Sequence, residues 1–274
     1  MPAKEVTDEE VRSLTQSILT RYGIDFTCYE PKSLRRRIMS VLHSHDFQSI
    51  HEMWVRFLRD ATFVYTFMNG ISVGMTSMFR DPVMWKTLKH KLRFDYRDRD
   101  SLSVWHAGCS TGEEVYSLGI LLKETNLTQK VKACATDINQ DAIQTAQQGV
   151  YHKLKMIENE TNYREFNAIG DFSRYYKAAE KDVTMNAELI SHVSFRYHNL
   201  ITDVVPEKYD IIFCRNVMIY FDNQAKAKLL AKFHDALTPG GLFIVGFYDA
   251  PIHLVDDTQF DLLDADAKIF RKKL

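Results

Sequence analysis

The spacing of apolar residues changes character near residue 100, and that switch constrains the fold more than any other feature of the 274-residue chain. Before it, the spacing is helical throughout. Thr7 and Glu10 have capping-box spacing, and Val11, Leu14, Ile18 and Leu19 recur behind them until Gly23. Pro31 suits a first helical turn, and Leu34, Ile38, Val41 and Leu42 form the stripe of a second helix. Ser49, with Glu52 three residues on, opens a third helix carrying Ile50, Met53, Trp54, Phe57 and Leu58, and residues 62–68 add a fourth. After Asp100, strand-like and helix-like runs alternate. Residues 103–108 read as a strand entering a glycine turn, 112–124 as a helix, 131–137 as a strand, and 140–149 as a helix through Ala142 and Ala146. Residues 193–197 read as another strand, and 209–214 as a continuous apolar strand of the buried parallel kind. A helix over 225–237, closed by Pro239-Gly-Gly241, then precedes a strand over 242–247.

This alternation predicts an α/β fold, a doubly wound and mostly parallel sheet with right-handed crossovers, behind a small all-helical unit. The expected division is a helical domain over 1–75, a junction over 76–100, and an α/β domain over 101–274. Between Tyr151 and His192 the alternation breaks down into mixed polar and aromatic sequence, read as an inserted subdomain over about 151–191. With 45% apolar residues the chain can bury a real core, and its formal charge of −1 gives no overall bias toward nucleic acid or an anionic membrane. Cys28, Cys109, Cys134 and Cys214 stand far apart with no C-x-x-C pair, which argues against a metal cluster or a disulfide framework and fits a reducing cytoplasm. The first ten residues are acidic rather than basic and apolar, unlike a secretory signal, and no run reaches the ~18 to 20 apolar residues of a membrane span.

Ligands of doubly wound sheets bind beyond the carboxyl ends of the strands, where a turn offers free backbone N–H groups. Gly108-Cys-Ser-Thr-Gly112 stands at such a place, and it lacks the full G-x-G-x-x-G of a dinucleotide site. A nucleoside without phosphates, such as S-adenosylmethionine, needs only room and donors. The bland alternative is a capped turn, because Ser110 with Glu113 and Thr111 with Glu114 both have capping-box spacing. Asp137 ends the next strand, where it can accept both ribose hydroxyls or else cap the following helix. Arg215 and Asn216 end the buried strand and project into the same crevice, and His198-Asn-Leu200 places a further amide, Asn199, at a strand end.

Together these segments resemble the chemotaxis receptor methyltransferase (CheR) family, the protein-glutamate O-methyltransferases, along nearly the whole chain. Trp105-His-Ala-Gly-Cys-Ser-Thr-Gly-Glu-Glu-Val-Tyr-Ser117 is similar to the family's first cofactor motif, and Ala135-Thr-Asp-Ile138 to its ribose-binding acid. Phe213-Cys-Arg-Asn-Val-Met-Ile-Tyr-Phe-Asp222 and Thr76-Ser-Met-Phe-Arg-Asp81 are close to signatures, and His198-Asn-Leu200 and Leu237-Thr-Pro-Gly-Gly241 complete the order. The resemblance implies that Thr76, Arg80, Glu114, Asp137, Asn199, Leu200, Arg215 and Asn216 contact S-adenosylmethionine, leaving S-adenosylhomocysteine as product. It also implies that Tyr220 faces the reaction centre and that the N-terminal helices dock the cytoplasmic domain of a chemoreceptor. The family's insertion is a small antiparallel subdomain, which in some members grips a tethering peptide. Three departures stand out. Gly74 replaces an asparagine two residues before the threonine, Gly246-Phe-Tyr-Asp249 replaces glycine-histidine-serine-glutamate, and residues 177–186 have no glycine-rich hairpin, which argues against peptide tethering.

Glutamate methylation needs no general base, because a carboxylate with a reference pKa of about 4.3 is already ionised. Alignment and a dry pocket remain to be supplied. Arg80 has the fork to hold a carboxylate, of cofactor or substrate, or else to pair with Asp81; Tyr220 can orient the attacking carboxylate or simply pack in the core. Arg35, Arg36 and Arg37 fan around the second helix, either as a solvated face or as a dock for acidic helices. Two other readings stand beside this one. A nucleic-acid methyltransferase would want a D/N-P-P-Y/F turn where this chain has Cys214-Arg-Asn216, and a scaffold that keeps the cofactor and has lost the reaction is suggested by Gly74 and residues 246–249.

Overall fold

The computed structural model describes residues 6–71, 76–96, 99–205, 207–249 and 254–274, so Gly74 lies outside the described residues. Four helices open the chain: α1 (Asp8–Tyr22), α2 (Pro31–Ser44), α3 (Ile50–Arg59) and α4 (Phe63–Ile71). Thr7 and Glu10 form the capping box in full, Gly23 closes α1 in the left-handed conformation at φ 70°, and the Ser49 side chain accepts from Glu52 N–H to start α3. Their stripes meet in one core containing Leu14, Ile18, Leu34, Ile38, Met53, Phe57 and Phe67.

Helix α5 (Pro82–Phe94) leads into the alternating part: β1 (Leu102–Ala107), α6 (Glu113–Thr125), β2 (Val131–Asp137) and α7 (Gln140–Gln148). Then follow β3 (Val150–His152), α8 (Lys155–Phe166), β4 (Tyr176–Ala178), β5 (Asp182–Met185) and β6 (Val193–Tyr197). The chain ends with β7 (Tyr209–Cys214), α9 (Asn223–Ala236), β8 (Leu237–Val245), β9 (Phe260–Asp264) and β10 (Ile269–Lys272). The seven-stranded sheet runs β6-β2-β1-β7-β8-β10-β9, with β6 through β8 parallel and β10 antiparallel to both its neighbours. Every residue of β7 is buried, with Ile211 and Phe213 facing α5 and α6, and Ile212 and Cys214 facing α9. The sheet is thus a central layer covered on both faces. Trp85 and Leu88 of α5 lie wholly within the first of these cores.

Two expectations are corrected here. The segment Pro239-Gly-Gly241 is no turn ahead of the last parallel strand, because β8 begins at Leu237 and runs through it, its pairing with β7 shifting between Tyr209 and Ile211. The same strand stops at Val245, so Gly246 and Phe247 belong to the loop beyond it. The insertion contains a second sheet, the antiparallel order β3-β5-β4, and α8, whose Tyr163 and Phe166 join the core beneath α5. Residues 177–186, which contain no glycine, nevertheless form most of the β4–β5 hairpin. Among the described residues no helix is long and apolar enough to cross a membrane.

Candidate cofactor and active site

Strands β1 and β7 are neighbours, and the helices that follow them cover opposite faces of the sheet, so a crevice opens beyond their carboxyl ends. The turn after β1 is tied to β2: Gly108 and Cys109 donate their N–H groups to the Thr136 carbonyl at 2.9 and 2.8 Å. Ser110, at φ 48°, donates its N–H to Asp137 Oδ2 at 2.8 Å, and Asn139 N–H reaches Oδ1 at 2.9 Å. Burial raises the Asp137 pKa, opposed by these backbone donors. The helix beyond is capped by Asn139, whose side chain accepts from Ala142 N–H, so that role does not fall to Asp137. Nor does either capping-box spacing form at α6: its N-cap is Gly112, without a side-chain bond, and the Thr111 hydroxyl turns to Glu113 at 2.6 Å.

Glu114 points instead into a buried charge network. One oxygen meets His106 Nδ1 at 2.8 Å and the other meets Arg215 at 3.2 Å. Burial alone would raise its pKa, yet the hydrogen bond and charge of His106, together with Arg215, outweigh it and hold the group below its usual value. Arg215 also donates to the Asp81 carboxylate at 2.8 Å and to the Arg80 carbonyl at 2.7 Å. The Asp81 carboxylate therefore serves Arg215. Arg80 sits between Phe79 and Asp81, both left-handed at φ 52° and 58°, a costly conformation for such residues that the surroundings enforce. Phe79 is wholly buried with its N–H on the Ser117 hydroxyl, and Met78 N–H donates to Asn159, both at 2.8 Å.

The turn after β7 has its own acid. Asn216, left-handed at φ 60°, donates its N–H to Asp249, which also accepts from Gly246 N–H at 3.0 Å and Ile219 N–H at 3.1 Å. The two turns touch, since a Cβ on Gly108, itself at φ 89°, would lie 2.5 Å from Val217 Cγ2. The helical domain closes the far wall. Residue Tyr29 bridges Phe221 with their rings 5.1 Å apart, Glu30 N–H donates to the Tyr220 carbonyl, and Asp222 N–H donates to the Cys28 carbonyl, each at 2.9 Å.

One cleft of about 1080 Å³, counting its open mouth, is lined by Thr76, Arg80, Gly108, Glu114, Asp137, Asn199, Leu200, Arg215, Asn216 and Tyr220. Residues scattered over 145 positions thus share one wall-to-wall space with Phe26, Tyr29, Met68 and Ile71 of the helical domain. Arg35, Arg36 and Arg37 are not in that lining. Arg35 meets Asp8 at 3.4 Å, whereas Arg36 and Arg37 act on the Tyr220 phenol: burial raises its pKa, and Arg37, Arg80 and Arg36 draw it back down. Sequence reasoning missed Asp249, the Ser117 and Asn159 supports of the Arg80 segment, and Lys232. The Lys232 ammonium, on α9, donates to the Leu200 and Asp203 carbonyls and steadies the loop carrying Asn199. The cleft fits S-adenosylmethionine. Asp137 borders it at a strand end with one N–H on each oxygen, leaving lone pairs for two hydroxyls, and the buried Arg215 Nε has no hydrogen-bond partner among the described residues.

The geometry of a glycine turn, a strand-end acid and a lidded crevice agrees with what comparison with known proteins finds. Residues 9–72 match the family model described as "CheR methyltransferase, all-alpha domain", and residues 74–268 match "CheR methyltransferase, SAM binding domain". The chain belongs to the CheR methyltransferase family. It is 35% identical over 272 residues to Cher3 of Pseudomonas putida, covering 99% of this chain and 100% of that one. The chemotaxis protein methyltransferases of Escherichia coli and Listeria innocua are each 30% identical, over 91% and 85% of this chain and 87% and 86% of theirs. The protein is a methyltransferase whose cofactor is S-adenosylmethionine.

Proposed function

We propose that the chain methylates glutamate side chains on acidic cytoplasmic helices of a chemoreceptor-like protein. The observation that carries this reading is the setting of Tyr220: it lines the cleft with Arg80, and its carbonyl accepts from Glu30 N–H at the start of the arginine-bearing helix α2, so Arg36 and Arg37 add to the positive field at the phenol. Such a field holds a carboxylate nucleophile and disfavours a protonated amine. The turn Cys214-Arg-Asn216 also differs from the D/N-P-P-Y/F turn of adenine amino-group methylation.

When bound, S-adenosylmethionine supplies a sulfonium methyl; a carboxylate oxygen forms the new C–O bond as the C–S pair returns to sulfur, giving a methyl ester and S-adenosylhomocysteine. Asp137 would hold the ribose hydroxyls, and Asn199 and Leu200 the base end of the cleft. Glu114 and Arg80 would bind the amino-acid end, with Arg215 fixing both of them. The Tyr220 hydroxyl would orient the incoming carboxylate, and the apolar wall of Phe26, Tyr29, Met68 and Ile71 excludes water, which favours a reaction in which opposite charges cancel. The test is transfer of labelled methyl from S-adenosylmethionine to receptor cytoplasmic fragments, followed by mild alkali. Methanol release is expected from carboxyl esters; alkali-stable label would place the methyl on an amine or a base, and no transfer alongside tight cofactor binding would favour a scaffold.

A further inference from the structure

Residues 246–249 depart from the family's usual glycine-histidine-serine-glutamate, yet their last member is among the most enclosed charged groups of the chain, 1% exposed. A buried carboxylate is costly unless it is fully hydrogen-bonded. Asp249 meets that requirement with three backbone donors, and two of them, Asn216 and Ile219, come from a segment some thirty residues away. Asn216 is the left-handed residue that turns the chain out of β7. Ile219 lies in the short helical turn Met218–Tyr220, whose first N–H groups have no partner within the turn and whose preceding residue, Val217, offers no side-chain cap. Asp249 supplies both requirements at once. Gly246 shows how closely the two segments approach, because a Cβ there would lie 2.7 Å from Asn216 N and 2.7 Å from Asp249 Oδ2.

We propose that Asp249 is a positioning residue for methyl transfer: its carboxylate sets the 215–220 turn, and through it the Asn216 and Tyr220 side chains that border the cleft. The inference rests on the function proposed above. Charged and titratable groups facing Asp249 are Arg215 and Cys214 at the end of β7 and the Tyr220 phenol, with Lys268 over the Phe247 ring of its own loop. Burial raises the Asp249 pKa to about 6, against the three backbone donors and Arg215. A carboxyl whose pKa is higher folded than unfolded stabilises the fold fully below its unfolded value and loses that contribution as pH rises through the folded one. Acidification through about pH 6 therefore removes an acceptor from the turn at no cost to stability from this group.

The experiment compares wild type, Asp249→Asn, Tyr220→Phe and the double variant for kcat at saturating cofactor, S-adenosylhomocysteine affinity by calorimetry, and Tm. Asp249→Asn is expected to lower kcat about tenfold at pH 8 and to weaken S-adenosylhomocysteine about threefold through Asn216. The kcat losses of Asp249→Asn and Tyr220→Phe should fail to multiply, because one acts through the other. Wild-type kcat should fall below about pH 6 without a fall in Tm, and this limb should vanish in Asp249→Asn. Multiplying losses, or unchanged kcat and affinity in Asp249→Asn, would overturn the proposal. If that variant does not fold, Gly246→Ala perturbs the same contact and is held to the same outcomes. Should wild type methylate no acidic helix, the function fails first, and the affinity measurement alone decides the role of Asp249.

Discussion

The turns after β1 and β7 are built alike and used differently. In each, a left-handed residue, Ser110 or Asn216, gives its N–H to an aspartate at or just beyond the end of the neighbouring strand, β2 or β8. Asp137 takes one donor on each oxygen and borders the cleft. Asp249 takes three donors, is more deeply enclosed, and is absent from the cleft lining. Placement thus separates an acid that borders the cleft, where a ligand can reach it, from one enclosed behind the turn and engaged with the framework. The β7 turn adds Arg215, which ties Asp81, Glu114 and the Arg80 carbonyl together.

The largest expected effect follows from that asymmetry. Arg215→Gln removes the cation between two carboxylates, one of them, Glu114, buried against His106, and should lower stability by about 3 kcal/mol. Urea unfolding checks it; a loss under about 1 kcal/mol would mean that the network relaxes around the vacancy. Asp137→Ala should invert the balance, weakening S-adenosylmethionine by about 1.5 to 3 kcal/mol while leaving the fold intact. Calorimetry showing wild-type affinity in a folded Asp137→Ala protein would make the two acids equivalent framework groups.

Legibility in the sequence follows the same division. Strands β2, β6 and β7 run over the expected residues, because each carries an uninterrupted or nearly uninterrupted apolar or β-prone run. The insertion's strands are only three or four residues long, too short to show a period, and Pro239-Gly-Gly241 has the composition of a turn although the chain there continues pairing. Asp137 was visible because a glycine turn and an acid at a strand end form a local pattern. Asp249 stands out only as part of a loop that departs from the family pattern, and nothing local marks Ser117 or Asn159; the Asn216, Ile219, Phe79 and Met78 N–H groups that these three accept lie 30 to 81 positions away and meet them only through tertiary approach. Glu114 was placed at the site, but its partners His106 and Arg215 were not foreseen.

A smaller effect sharpens the role of the β7 turn. Tyr220→Phe keeps the ring and removes the hydroxyl, so kcat should drop about tenfold with little change in cofactor affinity, the signature of an interaction made mainly in the transition state. Steady-state rates with calorimetry on the same preparation decide it, and full activity would return Tyr220 to a packing role.

The smallest effect tests how far the cationic mouth extends. Arg36 is exposed on α2 and outside the cleft lining, and its charge contributes to the field at the Tyr220 phenol. A charge in that position attracts an acidic helix without touching the cofactor, and exposed pairs are individually worth about 0.2 to 1 kcal/mol. Arg36→Glu should therefore raise KM for an acidic receptor fragment several-fold at low salt, leaving kcat and S-adenosylhomocysteine affinity near wild type. Because mobile ions screen exposed charges within about 10 Å at 0.1 M ionic strength, the difference between variant and wild type should shrink as salt is raised. Arg35, already engaged with Asp8 on the same helical surface, should give the weaker response when reversed. Equal KM values for Arg36→Glu and wild type at low salt would confine substrate attraction to Arg80 and Arg37 and leave the outer face of α2 merely solvated.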